Sequence, residues 1–327
     1  MRFVIYGAGA VGGSMGGCLF QAGHRVELIA RGRHLAAIQS GGLVLERRGQ
    51  RAVLPVAAVA GPGDVDWGEP AVVVLAMKSQ DTEAALAALE AVAPPETAVV
   101  CAQNGVANER RTLRRFANTY GLCVMCPATY LEPGVVVAHC APLTGILDLG
   151  RYPAGVDGTA GAVAAALEEA GFESRPEPDI MRWKYRKLLL NLANAVDALA
   201  GPEGLGGELA QMAVVEGEAV LAAAGVDAAS AAEDLDRRGD RLPLANGWSG
   251  GSSWQSIARG AGSIETDYLN GEIVLLGRLH GVATPVNRFL QARGAALARD
   301  GALLRSTTPE RLLDQFRTAQ AAGTLPD

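Results

Sequence analysis

Long apolar runs are missing from this sequence of 327 residues. The longest unbroken one, 71–77, is far short of the ~20 residues that a membrane-spanning helix needs. A signal-peptide pattern is missing as well, since the chain opens on the strand-like Phe3-Val4-Ile5-Tyr6. The expectation is a cytoplasmic protein with no membrane partner. Positive charge is scarce: 29 Lys and Arg stand against 35 Asp and Glu, a net charge of −6 that argues against a nucleic-acid partner. The densest basic run, Arg110-Arg111 with Arg114-Arg115, has the spacing of a solvated helix face. Five cysteines (Cys18, Cys101, Cys123, Cys126, Cys140) are too few for a disulfide framework. Cys123 and Cys126 have the C-x-x-C spacing, but they sit in a strand-like run that aims them at opposite faces. Two core thiols and no metal site are expected there.

What is present is a change of periodicity along the chain. The first half alternates short β-rich runs with helical stretches, the pattern of a doubly wound parallel sheet. Strands are predicted at 2–6, 25–29, 71–76, 98–102 and 122–130, with 135–139, 144–149 and 173–175 as later, mixed or antiparallel ones. Helices are predicted at 11–22, 33–40, 82–91, 108–116 and 158–170. Pro176-Glu-Pro178 breaks this pattern, and the remainder reads as helices at about 180–199, 205–224, 227–237, 251–259, 264–280, 284–299 and 309–321. The predicted architecture is α/β: a Rossmann-type doubly wound sheet over 1–178 and an all-helical domain over 179–327. A Gly- and Asn-rich stretch, 239–251, reads as a loop or lid.

Gly7-Ala8-Gly9-Ala10-Val11-Gly12 follows the first strand and opens an apolar helix, the full context of the dinucleotide fingerprint. Gly7 permits the tight turn, Gly9 lets the backbone approach a pyrophosphate, and Gly12 lets helix and strand pack closely. The pyrophosphate belongs at the helix N-terminus, where free N–H groups and the dipole favour an anion. The second strand ends in Ala30-Arg31-Gly32-Arg33, with no acid to bind a ribose 2′-OH; Glu27 lies within the strand and points elsewhere. Arg31 suits a 2′-phosphate as a planar, charge-assisted fork, which selects NADP(H) over NAD. Lys78 follows the third strand and Asn104-Gly105 the fourth, where open α/β sheets bind ligands. Lys78 suits a phosphate or the ribose, or is simply exposed. Asn104 suits a carboxamide or a substrate hydroxyl, or is a plain Asn-Gly turn.

Hydride transfer to a carbonyl leaves an alkoxide, so a proton donor must stand nearby. None of the four histidines (His24, His34, His139, His280) is a convincing one. The first helix after the break supplies another: Lys187, with Asn191 about 40° away around a helix and Asn194 about 20° the other way. Lys184 is the second lysine on that helix, and which of the two faces a ligand is open. Desolvation and neighbouring positive charge both lower a lysine pKa towards the range a general acid needs. A helix-capping polar network is the alternative. Ser252-Ser253-Trp254-Gln255 and Glu265 form a further polar cluster. Glu265 is a partner for a buried lysine or an exposed first-turn acid.

In this order the residues resemble the ketopantoate reductase family over nearly the whole chain. Asn270-Gly271-Glu272 and Thr284-Pro285-Val286-Asn287 extend the likeness late in the sequence. The resemblance implies NADPH-dependent reduction of 2-dehydropantoate to (R)-pantoate in pantothenate biosynthesis. It makes Lys187 the proton donor and gives Glu265 the orienting of the substrate. Asn191, Asn194 and Ser252 or Ser253 hold hydroxyl and carboxylate, Asn104 lies between nicotinamide and substrate, and Lys78 touches the cofactor. It further implies closure of the two domains over the ligands, and leaves a homodimer open. The family spaces its two asparagines four apart and follows them with Pro-Leu-Thr, whereas here the spacing is three and Ala195-Val196-Asp197 follows. Trp254 stands where the family carries a smaller side chain. These departures fall on the substrate side. They leave open a reductase for another 2-oxo acid or an imine, and, from another class, a non-catalytic NADP(H) sensor.

Overall fold

The computed structural model describes residues 1–244, 250–260, 262–300 and 303–325. The first half carries, in chain order, β1 (Arg2–Tyr6), α1 (Ala10–Gln21), β2 (Arg25–Ile29), α2 (Gly32–Gly41), β3 (Leu43–Arg47), β4 (Gln50–Leu54), β5 (Ala57–Val59) and β6 (Val72–Leu75). These are followed by α3 (Thr82–Glu90), β7 (Ala98–Cys101), α4 (Asn108–Leu113), β8 (Thr119–Met125), β9 (Ala128–Thr129), β10 (Val135–Ala138), β11 (Ile146–Arg151) and α5 (Gly158–Glu169). Seven strands form one sheet in the order β11-β8-β7-β6-β1-β2-β5. All its pairings are parallel except β8 with β11. That is the dinucleotide-fold order with an antiparallel edge strand added. Its central strands are covered on both faces, which is why Phe3, Val4, Ile5, Val73 and Val99 are wholly buried and read as continuous apolar runs.

A second, four-stranded sheet, β4-β3-β10-β9, lies across α1. The small residues of α1 let it sit between the two sheets. A Cβ on Gly16 would stand 2.7 Å from Leu28 Cδ2 of the first sheet, and one on Gly17 would stand 3.2 Å from Leu45 Cδ2 of the second. The β3–β4 hairpin and β5 are absent from the expected strands. Their signal is weak because Gln50, Arg51 and Val53 face solvent and blur the alternation. The one legible cue is Arg48-Gly49, both with positive φ (52° and 72°), as a two-residue hairpin turn requires. The expected strand 122–130 is two strands, because Pro127 has no N–H for a ladder and the chain changes sheets there. The expected strand 173–175 makes only isolated bridges to β11, at Ile146–Glu173 and Leu149–Pro176.

The rest of the chain is α6 (Ile180–Asn191), α7 (Asn194–Ala200), α8 (Glu208–Ala223), α9 (Ala231–Arg238), α10 (Ser252–Ala258), α11 (Asn270–His280), α12 (Pro285–Asp300) and α13 (Pro309–Ala321). No ladder strand occurs among its described residues, so the α/β class with a helical C-terminal part stands. No described helix is long and apolar enough to cross a membrane. Contacts divide the chain into Met1–Lys184 with Ser230–Trp248, and Tyr185–Ala229 with Ser249–Asp327. The division therefore falls inside α6 rather than at residue 178, and α9 returns to the first unit. Charge pairing explains the return. Arg237 of α9 donates to both oxygens of buried Asp148 on β11, at 2.7 Å each, and Arg182 pairs with Glu233 at 3.2 Å.

Within the second unit the expected continuous helix 180–199 is broken. α6 ends at Asn191, and α7 begins at Asn194. The N–H of Leu192 turns back to Leu189 O at 3.3 Å, and the freed Leu192 carbonyl accepts from Asn270 Nδ2 at 3.0 Å. Asn270 also donates to Asn287 Oδ1 at 3.0 Å, and Asn287 in turn donates to Ala213 O and Glu216 at 2.9 Å each. Asn270 thus seals the helix break, while Glu216 caps α12 by accepting from the N–H groups of Val286 and Asn287 at 2.8 and 2.9 Å.

Candidate active site

Two positions of the glycine turn between β1 and α1, Gly7 and Gly12, have no room for a side chain. Gly7 takes φ +105°, and a Cβ there would stand 2.6 Å from Met77 N; one on Gly12 would lie 2.1 Å from Gly7 O. Gly9 is the N-cap of α1 in an extended conformation, and Ala10, Val11 and Gly12 form the first turn. The turn is held from behind, since the N–H groups of Gly7 and Ala8 donate to Ile29 O at 3.1 and 3.2 Å. The unpaired N–H groups of the first helical turn make a cradle for an anion, which fits the pyrophosphate of a dinucleotide.

Arg31, just past β2, is the N-cap of α2, and its side chain is 75% exposed. The end of β2 carries no acid, but tertiary structure brings one. Asp81, from the short turn after β6, accepts a hydrogen bond from Arg31 Nη2 at 3.1 Å. An ion pair this exposed is worth about 0–1 kcal/mol, so it yields readily to a dianionic phosphate. Glu27 instead pairs with Arg2, at 3.4 Å.

The turns after β6 and β7 are tied together by a buried polar chain. Gln103 Nε2 donates to Thr82 Oγ1 at 2.7 Å, Thr82 to Asn108 Oδ1 at 3.0 Å, and Asn108 Nδ2 to Ser79 Oγ at 3.0 Å. Lys78 and Asn104 stand half-buried on these two turns. Gly105 takes φ +80°, so the Asn-Gly turn exists, and it presents Asn104 at the carboxyl end of β7. Two arginines of the basic run near α4 are spent locally, since Arg111 donates to Ser79 O at 3.2 Å and Arg115 pairs with Glu83 and Glu90, while Arg110 and Arg114 are exposed.

The two lysines of α6 have different fates. Lys184 is 2% exposed, and its ammonium lies 2.5 Å from Glu109, which is 0% exposed. It also donates to the carbonyls of Gln103, Cys101 and Leu122, at 2.9, 3.3 and 3.3 Å. Gly121 makes room for this side chain, because a Cβ there would stand 3.3 Å from Lys184 Cδ. Every donor of Lys184 is occupied, and the group is structural. Lys187 is half-buried and lies one turn before Asn191 on the same helix. Asn191 is 6% exposed, and its Nδ2 finds no hydrogen-bond partner among the described residues. An amide buried in that way costs free energy until something accepts from it.

Asn194 does not share the α6 stripe, because the break at 192–193 moves it onto α7. It comes instead beside the start of α10: a Cβ on Gly251 would stand 3.6 Å from Asn194 Oδ1. Ser253, next along, is 1% exposed, and its Oγ is a second buried polar atom without a partner among the described residues. Ser252 is half-buried, with its carbonyl accepting from Ser256 Oγ at 2.8 Å. Glu265 lies in a short 3-10 turn and is 5% exposed, which removes the exposed-acid alternative. Of the loop 239–251, residues 245–249 lie outside the described residues. Cys123 and Cys126 form no disulfide and are buried, and burial pushes the Cys126 thiol far up.

Comparison with known proteins identifies the family. The family profile described as "Ketopantoate reductase PanE/ApbA" matches residues 3–153, and its C-terminal companion matches 179–297. A 2-dehydropantoate 2-reductase of Halobacterium salinarum is 30% identical over 92% of this chain and 100% of its own. The chain belongs to the ketopantoate reductase family. It is accordingly an oxidoreductase of the CH–OH class that works with a nicotinamide cofactor. Among solved structures, a PanE/ApbA family ketopantoate reductase from Ralstonia eutropha JMP134 is 30% identical, with a TM-score of 0.78 over 92% of this chain and 99% of that one. D-mandelate dehydrogenase, solved with NADH and anilino(oxo)acetate, shares the fold at a TM-score of 0.80 and 24% identity, over 93% of this chain and 100% of that one.

For a ketopantoate reductase family member, the departures at Asp197 and Trp254 turn out to be one unit. Asp197, 2% exposed, accepts from Gly251 N–H at 2.7 Å and from Arg305 Nη2 at 3.0 Å. The Arg305 guanidinium lies 5.1 Å over the Trp254 ring. Replacing a Pro-Leu-Thr corner by Ala-Val-Asp therefore pins the chain entering α10 and stacks a cation on the new indole. Asp81, Glu109 and Arg305 were not among the sequence candidates. Each acts through a partner distant in the chain, and no local signal marks it.

Proposed function

We propose that this protein reduces a 2-oxo acid to the 2-hydroxy acid with NADPH, and that its substrate is 2-dehydropantoate, yielding (R)-pantoate for pantothenate biosynthesis. The observation that carries the reading is Lys187 one turn from Asn191, whose buried amide has no partner among the described residues. The names of the full-length relatives support the choice of substrate. NADPH, when bound, supplies the hydride. Lys187 donates the proton that the forming alkoxide requires, and takes one back from solvent afterwards. Asn191, Asn194 and Ser253 offer hydrogen bonds to hydroxyl and carboxylate, and the buried Glu265 carboxylate orients the substrate. Lys78 and Asn104 present cofactor-facing groups at the carboxyl ends of β6 and β7, beside the Gly7–Gly12 turn. Five free thiols suit a cytoplasmic setting.

A second reading, reduction of a different 2-oxo acid, is favoured by the linked Asp197, Arg305 and Trp254, which add a large ring beside the substrate serines. NADPH oxidation followed across a panel of 2-oxo acids, ketopantoate and phenylglyoxylate among them, separates the two. The highest kcat/KM with ketopantoate is expected; no turnover of it alongside turnover of another acid would overturn the first reading.

Arg31 supports the choice of NADPH. Arg31→Ala should weaken NADPH binding about 10- to 100-fold, the worth of a charge-assisted pair, and change NADH binding little. Asp81→Asn should tighten NADPH about threefold by removing the competing carboxylate. Titration of both cofactors by fluorescence checks each; equal losses for NADPH and NADH in Arg31→Ala would remove Arg31 from the 2′-phosphate.

A further inference from the structure

Behind the glycine turn stands a buried histidine to which the reaction assigns nothing. His34 lies on the first turn of α2 and is 6% exposed. Its ring is 4.2 Å from that of Tyr130. Its Nδ1 lies 2.8 Å from the backbone N–H of Gly134, and its Nε2 lies 2.7 Å from the carbonyl oxygen of Ala8. Gly134 N–H only donates, so Nδ1 must accept; Ala8 O only accepts, so Nε2 must carry the proton. One neutral tautomer satisfies both contacts. An imidazolium would set N–H against N–H at Gly134.

Ala8 is the second residue of the dinucleotide turn. Its N–H is already fixed on Ile29 O at 3.2 Å, and His34 now fixes its carbonyl. A trans peptide is planar, with its C=O and following N–H pointing in opposite directions. Holding the Ala8 carbonyl towards His34 therefore turns the Gly9 N–H away from it, among the donors at the start of α1. The other side of the ring reaches the second sheet. Gly134 precedes β10, and its carbonyl accepts from Val44 N–H of β3 at 2.8 Å.

We propose that His34 is a positioning residue for the dinucleotide. As the neutral Nε2–H tautomer it presets the turn whose amides receive the pyrophosphate, and it braces that turn against the second sheet. The proposal rests on the NADP(H) reading above. The charged groups on the elements packed around the ring are Arg31 and Arg33 of α2 and Glu132 ahead of Gly134, all exposed. The glycine turn contributes none, and Tyr130 contributes a phenol.

The test is calorimetric binding of NADP+ to the apoprotein, with no substrate and no turnover. His34→Phe keeps the ring stack and removes both hydrogen bonds; it should weaken NADP+ about tenfold. His34→Gln keeps a donor near the Nε2 position and should stay within about threefold of the wild type. Nitrogen chemical shifts of His34 should show a protonated Nε2 and a bare Nδ1. Undiminished NADP+ binding by folded His34→Phe would overturn the proposal. So would a protonated Nδ1. A wild type that binds no NADP+ at all would instead refute the cofactor reading.

Discussion

Lys187→Ala should lower kcat about 10²- to 10⁴-fold, the usual contribution of a positioned general acid, and leave the NADP+ dissociation constant unchanged. The expectation follows from where the lysine stands. Lys187 is half-buried and lies one turn from an amide with no partner among the described residues, while its neighbour Lys184 is saturated. Lys187→Arg decides between two roles. A guanidinium keeps the charge but does not give up a proton near neutrality, so it restores substrate binding and not turnover. Steady-state kinetics with the best 2-oxo acid, beside cofactor titration, reads both. If Lys187→Arg turns over at the wild-type rate, the residue serves as a carboxylate anchor only.

Lys184→Met should be the most destabilising single change on α6. It leaves the Glu109 carboxylate buried without its cation, a loss of about 3–5 kcal/mol for a broken buried pair. The carbonyls of Cys101, Gln103 and Leu122 lose a shared donor at the same time. The midpoint of thermal unfolding should fall by roughly 6–20 °C. Glu109→Gln added to Lys184→Met should recover part of that, because a neutral amide is cheaper to bury than an unpaired carboxylate. NADP+ affinity should fall as well, since Lys184 holds the Gln103 carbonyl beside Asn104. An unchanged unfolding midpoint in Lys184→Met would show that the pair is incidental.

Sequence reading and structure agree where local pattern and burial point the same way. β1, β2, β6 and β7 lie at or within a residue or two of their expected spans, and in β6 and β7 the reason is that strands buried on both faces must be apolar throughout. The glycine turn was legible for the same reason: at Gly7 and Gly12 a Cβ would meet backbone or the turn itself. The β3–β4 hairpin was not legible, having one face in water. Nor was the interruption of the helix after Asn191. No proline or glycine marks it, and it persists because Asn270, remote in the chain, satisfies the Leu192 carbonyl.

The chain by itself determined the order of the elements, the dinucleotide turn and the family, since these depend on residues near one another in sequence. Only the tertiary structure decided that Lys184 is taken up by Glu109 and three carbonyls, that Asn194 stands beside Gly251 rather than on the α6 stripe, and that Arg31 meets Asp81. Those outcomes turn on hydrogen bonds and charge pairs between residues far apart along the backbone. A buried polar group takes whichever partner the fold brings to it, and helical spacing carries no record of that choice.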